Sequence, residues 1–182
     1  MDQVILVCGP AGSGKSTQAR SLAEDGYVVL SFDREAWELG RREHPLSADD
    51  ATLVHARLKA RLAALVTAGE NVVVDTSFWS RESRDRYRAV LAPLGVVPVV
   101  WYLDVPDDVL LARLAARAGD GPDDVLVSAG RARSYIDGFE RPSDDEGPLR
   151  VVRHVRHVRR GEPPRAEPAS GARADAGRPG SG

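Results

Sequence analysis

The sequence is poor in cysteine, in net charge and in long apolar runs, and each shortage excludes a class of protein. Its 182 residues include one cysteine, Cys8, which excludes an internal disulfide framework and favours a reducing compartment. The formal net charge of −2 predicts neither bulk attraction to nucleic acid nor adsorption to a membrane. No apolar run approaches the ~18 residues of a membrane-spanning helix. Asp2 leads directly into the first apolar run without a secretory pattern, so the sequence predicts a cytoplasmic protein.

The composition changes near the end of the sequence. Overall, 42% of the residues are hydrophobic and 29% are charged, which is ordinary for a globular domain. From residue 161 onward Gly, Pro, Ala, Ser and Arg dominate and little is left to bury. We therefore predict one domain over residues 1–160 and a disordered tail over 161–182. The basic segment 150–160 is either a solvated face or a nucleic-acid contact.

A glycine-rich segment matches the phosphate-binding loop (P-loop) pattern G-x-x-x-x-G-K-[ST] in full. The apolar residues 4–7 come before it and the helix-compatible residues 18–23 follow it, which is the strand–loop–helix context that the pattern requires. A chance match in a chain of this length is expected well under about once in a hundred, although a turn without a ligand is the alternative. The residues predicted to bind ATP are Gly9, Gly12, Ser13, Gly14, Lys15, Ser16 and Thr17.

The residue types of this loop suit a nucleoside triphosphate. Glycines let the backbone N–H groups point at phosphate oxygens, and the helix N-terminus that follows adds its dipole. Lys15 can reach the β- and γ-phosphates, and the hydroxyl of Ser16 can ligate Mg²⁺. The chain has only two lysines, Lys15 and Lys59, against 23 arginines, so composition alone does not explain a lysine at this position.

Apolar runs alternate with helical patterns along the rest of the chain. Strands are predicted at about residues 4–7, 27–30, 71–75, 96–104 and 149–153, with helices between them, including a long one at 48–68 after Ser47. This alternation predicts an α/β fold in which helices cover both faces of a parallel sheet. Ligands of such sheets bind at the carboxyl ends of the strands, where the P-loop also lies.

Two carboxylates end predicted strands at this same edge. Asp33 follows the second strand, and we predict that it is the base that accepts the proton of an acceptor hydroxyl. A helix N-cap is the alternative. Asp75 follows three valines and is predicted to hold Mg²⁺ together with Ser16, with a turn or cap as the alternative.

Aromatic and basic residues surround the two carboxylates in sequence. Four of the six Phe and Trp residues of the chain occur there, which indicates an apolar wall for an acceptor, although core packing explains the phenylalanines equally well. The nearby arginines are placed to contact an anionic acceptor or belong to the surface. The predicted acceptor-binding residues, with Asp33, are Arg34, Trp37, Phe78, Trp79, Arg81 and Arg84, and Phe32 belongs to the same aromatic group.

Arg113 and Arg117 lie four residues apart on one predicted helix, just before an Asp- and Gly-rich loop. If this loop is a lid near residues 113–128, the two guanidinium groups would close on the phosphates and stabilise the charge of the transition state. A solvated helix face is the alternative.

Several of these segments together resemble the small P-loop kinases of the polynucleotide-kinase-like group, which includes chloramphenicol phosphotransferase, gluconate kinase and zeta toxins. The resemblance spans roughly residues 2–155. It implies a sheet in the order 2-3-1-4-5, the use of ATP with Mg²⁺, an acceptor carboxylate at Asp33, and a lid with arginines at Arg113 and Arg117. The segments are the P-loop, Ser31-Phe32-Asp33-Arg34, the run from the three valines through Asp75 to Arg81 and Arg84, the turn at Pro106, and Arg113-x-x-x-Arg117.

These observations predict a single-domain, ATP-dependent kinase that phosphorylates a hydroxyl of a small molecule such as an antibiotic, nucleoside or sugar. Lys15 and Arg117 would neutralise phosphate charge, and Asp33 would act as the base. Two alternatives stay open: a 5′-hydroxyl polynucleotide kinase, and an ATP-binding regulatory module with slow hydrolysis. The sequence predicts no membrane partner and leaves the oligomeric state undetermined.

Overall fold

Five parallel strands form the centre of the fold, in the order β2-β3-β1-β4-β5. A computed structural model describes residues 2–41, 45–116 and 128–153. The strands are β1 (Val4–Cys8), β2 (Val28–Ser31), β3 (Val72–Asp75), β4 (Val99–Asp104) and β5 (Leu149–Arg153). The helices are α1 (Lys15–Glu24), α2 (Phe32–Glu38), α3 (Ala48–Thr67), α4 (Arg81–Leu91), α5 (Asp107–Ala115) and α6 (Ala129–Asp137). The sheet order implied by the resemblance is confirmed.

Both faces of the sheet are covered, as the continuous apolar strands predict. Along β1, Val4 and Leu6 contribute to one core and Ile5 and Val7 to the other, because successive side chains of a strand point to opposite faces. The first core is shared with α2, α3 and α4, and the second with α1. Cys8 is buried in the first core, and burial raises the pKa of its thiol to about 12.

The long helix α3 packs through one apolar stripe. Val54, Leu58, Leu62 and Val66 are buried at helical spacing, and the Ser47 side chain caps the helix by accepting from the backbone N–H of Asp50. The predicted helix over residues 48–68 is therefore confirmed.

The second strand, predicted at about residues 27–30, runs from Val28 to Ser31 and leads directly into a helix. Ser31 is both the last residue of β2 and the N-cap of α2, and its hydroxyl accepts from the backbone N–H of Arg34 at 3.4 Å. Phe32 and Asp33 therefore lie in the first turn of a helix rather than at the end of a strand.

Several predicted features lie outside the described residues. They are the tail at 161–182, most of the lid near 113–128 including Arg117, and the basic segment 150–160 beyond Arg153. In the three described ranges, no helix has both the length and the apolar character needed to cross a membrane.

Candidate active site

A cavity of about 1120 Å³ opens at the carboxyl ends of the strands. The P-loop from residue 10 to 17 lines it, together with Asp33, Asp75 and Arg113, whereas the predicted Gly9 does not. The structure thus brings together the phosphate-binding loop, both predicted carboxylates and one predicted lid arginine. Their convergence at one edge follows from the parallel sheet, in which every strand ends on the same side.

The P-loop conformation depends on glycine at two positions. Gly12 has φ +83° and Gly14 has φ +96°, values that side chains other than glycine rarely adopt. A Cβ on Gly12 would also approach the carbonyl oxygen of Leu110 to 3.1 Å and Cγ of Leu114 to 3.3 Å. The loop can therefore pack directly on α5 only because residue 12 has no side chain.

Two cations donate hydrogen bonds to backbone carbonyl groups of the P-loop. Lys15 Nζ donates to the carbonyl oxygen of Pro10 at 3.1 Å, and Arg113 Nη1 donates to that of Gly12 at 3.1 Å. Both residues also line the cavity. The arrangement directs positive charge towards the space that the loop encloses.

The P-loop fits a phosphate ligand. The Ser13 hydroxyl oxygen is buried and has no hydrogen-bond partner among the described residues, which is costly for a polar group unless a ligand contacts it. No side chain caps α1, because its N-cap residue is Gly14, so the first-turn amides of this helix keep their capacity to bind an anion.

Ser16 and Asp75 are placed on adjoining elements of the cavity. Asp75 ends β3, is 5% exposed, and pairs in register with Val7 of β1 on one side and with Ser31 of β2 on the other. The described residues contain no group of three or more His, Cys, Asp or Glu side chains that could hold a metal ion. One hydroxyl and one carboxylate are nonetheless the kind of protein ligands that Mg²⁺ takes when phosphates and water complete its shell.

Asp33 lines the cavity from the first turn of α2. The alternative interpretation of Asp33 as the helix N-cap is wrong, because Ser31 fills that position. Asp33 is thus a carboxylate in the first turn of a helix that lines the cavity.

The predicted aromatic wall is only partly correct. Trp79 lines the cavity and makes an edge-to-face contact with Tyr135, with 5.9 Å between ring centroids. Phe78 instead is 1% exposed in the first core, which its unusual φ of +45° allows it to reach. Trp37 is 41% exposed on α2 and does not line the cavity, and Phe32 does line it.

The predicted acceptor arginines do not line the cavity. Arg84 is fully buried and donates to both carboxylate oxygens of Glu146, at 2.7 and 2.6 Å. Arg81 is bound on the surface to Asp145 at 2.7 Å, and Arg34 is exposed outside the cavity. Their adjacency in sequence to Asp33 and Asp75 was misleading, because helices α2 and α4 turn these side chains away from the cavity.

The sequence analysis missed part of the cavity lining. His55 and Ala51 of α3 lie one helical turn apart and reach the cavity, and Tyr135 and Arg131 of α6 do the same. Pro45 and Leu46, in the loop before α3, also line the cavity and were not predicted from the sequence. The sequence did carry an indication for His55, because it directly follows Val54 and so lies at the border of the buried stripe of α3.

His55 is held in a partly buried aromatic setting. Its Nδ1 lies 3.0 Å from the Tyr87 hydroxyl, and its ring packs on Phe32 with 4.7 Å between centroids. Desolvation, with smaller contributions from the charges of Lys59 and Arg86, lowers the pKa of His55 from 6.5 to about 4. The imidazole is therefore uncharged at neutral pH.

This low pKa predicts a specific loss of stability in acid. Because the folded-state pKa is lower than the unfolded-state value, the unfolded chain binds the extra proton first as the pH falls from about 6.5 to about 4. We expect the free energy of unfolding to drop by about 1–3 kcal/mol more in the wild type than in His55→Gln over this range. Urea unfolding at pH 7 and pH 4.5 measures the difference, and equal losses in the two proteins would contradict it.

Comparisons of the sequence and of the structure with known proteins identify the family of this chain. A model of the AAA domain family matches residues 4–142. The adenylate kinase of Prochlorococcus marinus subsp. pastoris is 31% identical over 131 residues, which cover 64% of this chain and 69% of that protein. A gluconokinase structure from Sinorhizobium meliloti covers 82% of this chain and 81% of its own, at 26% identity and a TM-score of 0.60. A sugar kinase structure from Janibacter sp. has the same fold over 84% of this chain and 86% of its own, at 23% identity and a TM-score of 0.64.

The family match, the strand order and the complete P-loop agree. The chain is a kinase-like P-loop NTPase whose relatives transfer phosphate groups. It belongs to the AAA domain family and, within it, to the small P-loop kinases.

Proposed function

We propose that this protein is an ATP-dependent kinase that transfers the γ-phosphate of ATP to a hydroxyl group of a small molecule. The observation that carries the proposal is that one cavity is lined both by residues 10–17 of the P-loop and by Asp33. Phosphoryl transfer requires the two reactants to be held in line within one enclosed space, with the phosphate charge neutralised. This cavity offers both conditions.

The P-loop side of the cavity would hold the triphosphate. Its backbone amides, the Ser13 hydroxyl and the amino group of Lys15 supply donors for phosphate oxygens, and Arg113 adds a second charge. Ser16 and Asp75 would hold Mg²⁺, which when bound neutralises phosphate charge and orients the γ-phosphate. Arg117 remains a predicted participant on the strength of the resemblance.

On the other side of the cavity, Asp33 would accept the proton of the attacking hydroxyl. An alcohol is a weak nucleophile until its proton has a base to move to, whereas a phosphate oxygen needs no such help at neutral pH. This contrast favours an alcohol acceptor over the phosphate acceptor of an adenylate kinase. A carboxylate facing the acceptor also repels a second anion.

The decisive experiment uses the scarcity of lysine in this chain. We expect alcohol-dependent ATP consumption, measured with Mg²⁺ over a panel of nucleosides, sugars, hydroxylated antibiotics and 5′-hydroxyl oligonucleotides, to fall about 100- to 1,000-fold in Lys15→Met. Lys59→Met, which removes the other lysine outside the cavity, should stay within about twofold of the wild type.

The same panel separates the alternatives. Stimulation by oligonucleotides with a steep dependence on salt would identify a polynucleotide kinase instead. If no alcohol stimulates ATP consumption above the Lys15-dependent basal rate, the kinase proposal fails and a nucleotide-regulated binding module becomes the better account.

A further inference from the structure

Two aromatic side chains from distant parts of the chain meet at the cavity. Trp79 follows β3 and Tyr135 belongs to α6, and both line the cavity. Their rings are nearly perpendicular, with an interplanar angle of 87° and 5.9 Å between centroids. We call this pair the aromatic corner, because a planar ring stacked on the edge-on member presents its own edge to the face of the other. Trp79 is 39% exposed, so much of its surface is left for a ligand to cover.

The backbone around Trp79 is held from both sides. Its carbonyl oxygen accepts from the backbone N–H of Glu140 at 3.0 Å, and the Glu140 carboxylate accepts from the backbone N–H of Arg81 at 2.8 Å. The preceding residue, Phe78, is buried, and its carbonyl oxygen accepts from Arg84 Nη1 at 3.0 Å. A surface that is fixed before a ligand arrives loses little conformational freedom on binding, so the loop presents Trp79 as a pre-formed surface.

A glycine of α6 determines how closely this helix approaches Trp79. Gly138 is the C-cap of α6 and has φ −88°, which any residue can adopt, so its backbone does not require glycine. A Cβ at this position would lie 2.9 Å from Cζ2 and 3.2 Å from Cη2 of Trp79. The first distance is well below the ~3.5 Å at which carbon atoms attract each other. A side chain at residue 138 would therefore displace the indole ring and disturb the aromatic corner.

The order of the strands relates the aromatic corner to Asp33. Strands β2 and β3 both lie on one side of β1, and Asp33 follows β2 whereas Trp79 follows β3. Both residues line the cavity that the P-loop also lines. An acceptor whose hydroxyl group lies at Asp33 therefore has the aromatic corner within the same cavity for the rest of its body.

We propose that the acceptor alcohol carries a planar unsaturated ring, and that this ring stacks in the aromatic corner while the hydroxyl group lies at Asp33. This inference rests on the proposed function and names its substrate class. A ring in this position covers indole and phenol surface that water otherwise contacts, and its edge gains a favourable contact with the second aromatic face. A saturated ring of the same size lacks the flat face and the π electrons, so the aromatic corner distinguishes the two.

Matched acceptors that differ in the planarity of one ring test the proposal. The pairs are phenylethanediol and cyclohexylethanediol, and uridine and dihydrouridine, each measured as kcat/KM at saturating ATP and Mg²⁺. We expect the planar member of each accepted pair to be preferred by at least about tenfold. Equal use of both members, or preference for the saturated one, would overturn the proposal.

Variants of Tyr135 test the aromatic corner itself. In Tyr135→Leu the KM for the preferred alcohol should rise at least about tenfold while the KM for ATP is unchanged, because only the acceptor loses a stacking surface. Tyr135→Phe keeps the ring and should stay within about twofold of the wild type. An unchanged KM in Tyr135→Leu, or an equal rise in both variants, would show that the ring is not used. A rise in the KM for ATP instead would place the base of ATP in the corner and would also overturn the proposal.

Two glycines of α6 provide a matched comparison. Gly138→Ala displaces the Trp79 ring and should raise the KM for the preferred alcohol about tenfold, with a smaller preference for planar acceptors. In the described part of the chain, a Cβ on Gly130 meets no atom within 4 Å, so Gly130→Ala should keep the wild-type KM and preference. If Gly138→Ala also keeps both, the position of Trp79 does not matter for the acceptor and the inference fails.

The outcomes separate this inference from the function on which it rests. If alcohols are phosphorylated in a Lys15-dependent manner but a planar ring gives them no advantage, the kinase assignment stands and the inference falls. If no alcohol of either kind is phosphorylated, both fall.

Discussion

Replacement of Asp33 by asparagine is expected to lower the rate of phosphoryl transfer to an alcohol by about 100- to 10,000-fold and to leave ATP affinity within about twofold. Asparagine keeps the shape of the side chain but cannot accept the proton of the attacking hydroxyl. Asp33 lines the cavity from α2, and the two P-loop hydrogen bonds described above do not involve it. Single-turnover transfer of labelled phosphate and calorimetric titration with a non-hydrolysable ATP analogue measure the two quantities.

A carboxylate of the same helix provides the control. Glu38 ends α2, is exposed and does not line the cavity, so Glu38→Gln should transfer phosphate at the wild-type rate. Loss of the first-turn charge in Asp33→Asn costs only about 0.3–1 kcal/mol of helix stability, which urea unfolding can verify. If Asp33→Asn transfers phosphate as fast as Glu38→Gln, Asp33 is not the base.

The largest expected effect on stability comes from Arg84, which is fully buried. Arg84→Met should lower the free energy of unfolding by about 3–5 kcal/mol, because it leaves the 2%-exposed carboxylate of Glu146 with only the longer contacts to Arg88 Nη1 at 3.4 Å and to the backbone N–H of Ser143 at 3.3 Å. It also removes the donor to the carbonyl oxygens of Phe78 and Glu140, at 3.0 and 2.9 Å. Urea unfolding followed by far-UV circular dichroism measures the loss.

Two further variants test whether this loss of stability arises from the buried carboxylate of Glu146. The double variant Arg84→Met/Glu146→Leu should recover part of the loss, since replacing both members of a buried ion pair is much less costly than removing one. Arg86→Met breaks an exposed ion pair with Glu82 on the same helix and should cost no more than about 1 kcal/mol. If Arg84→Met is no more destabilising than Arg86→Met, the buried pair does not stabilise the fold.

The sequence predicts those features of the fold and of the site that short segments determine locally. The glycines of the P-loop determine its conformation. The ends of each strand are marked by the change from apolar to polar residues. Asp33 and Asp75 were found because they follow such runs, and a parallel sheet brings those positions together whatever the helices do. The order of the strands came from the resemblance, since periodicity alone does not encode it.

What the sequence could not predict depends on partners far along the chain. Arg84 was predicted to contact the acceptor or to lie on the surface, because its carboxylate partner lies 62 residues later in the sequence. Phe78 looked like a cavity residue because nothing local reveals a backbone with positive φ at a residue other than glycine. His55 was missed because its partner Tyr87 is on another helix, 32 residues away.

The order of the strands also bears on how such a protein can diverge. The P-loop follows β1, the central strand, which is hydrogen-bonded on both sides, whereas the helix that carries Asp33 follows β2, which lies at one edge of the sheet. Substitutions and insertions at an edge disturb fewer neighbours than changes at the centre. The sequence of the P-loop can therefore stay constant while the sequence of the segment from α2 to the start of α3 varies. For a designer who wants a new acceptor, residues 45–55 are the place to begin.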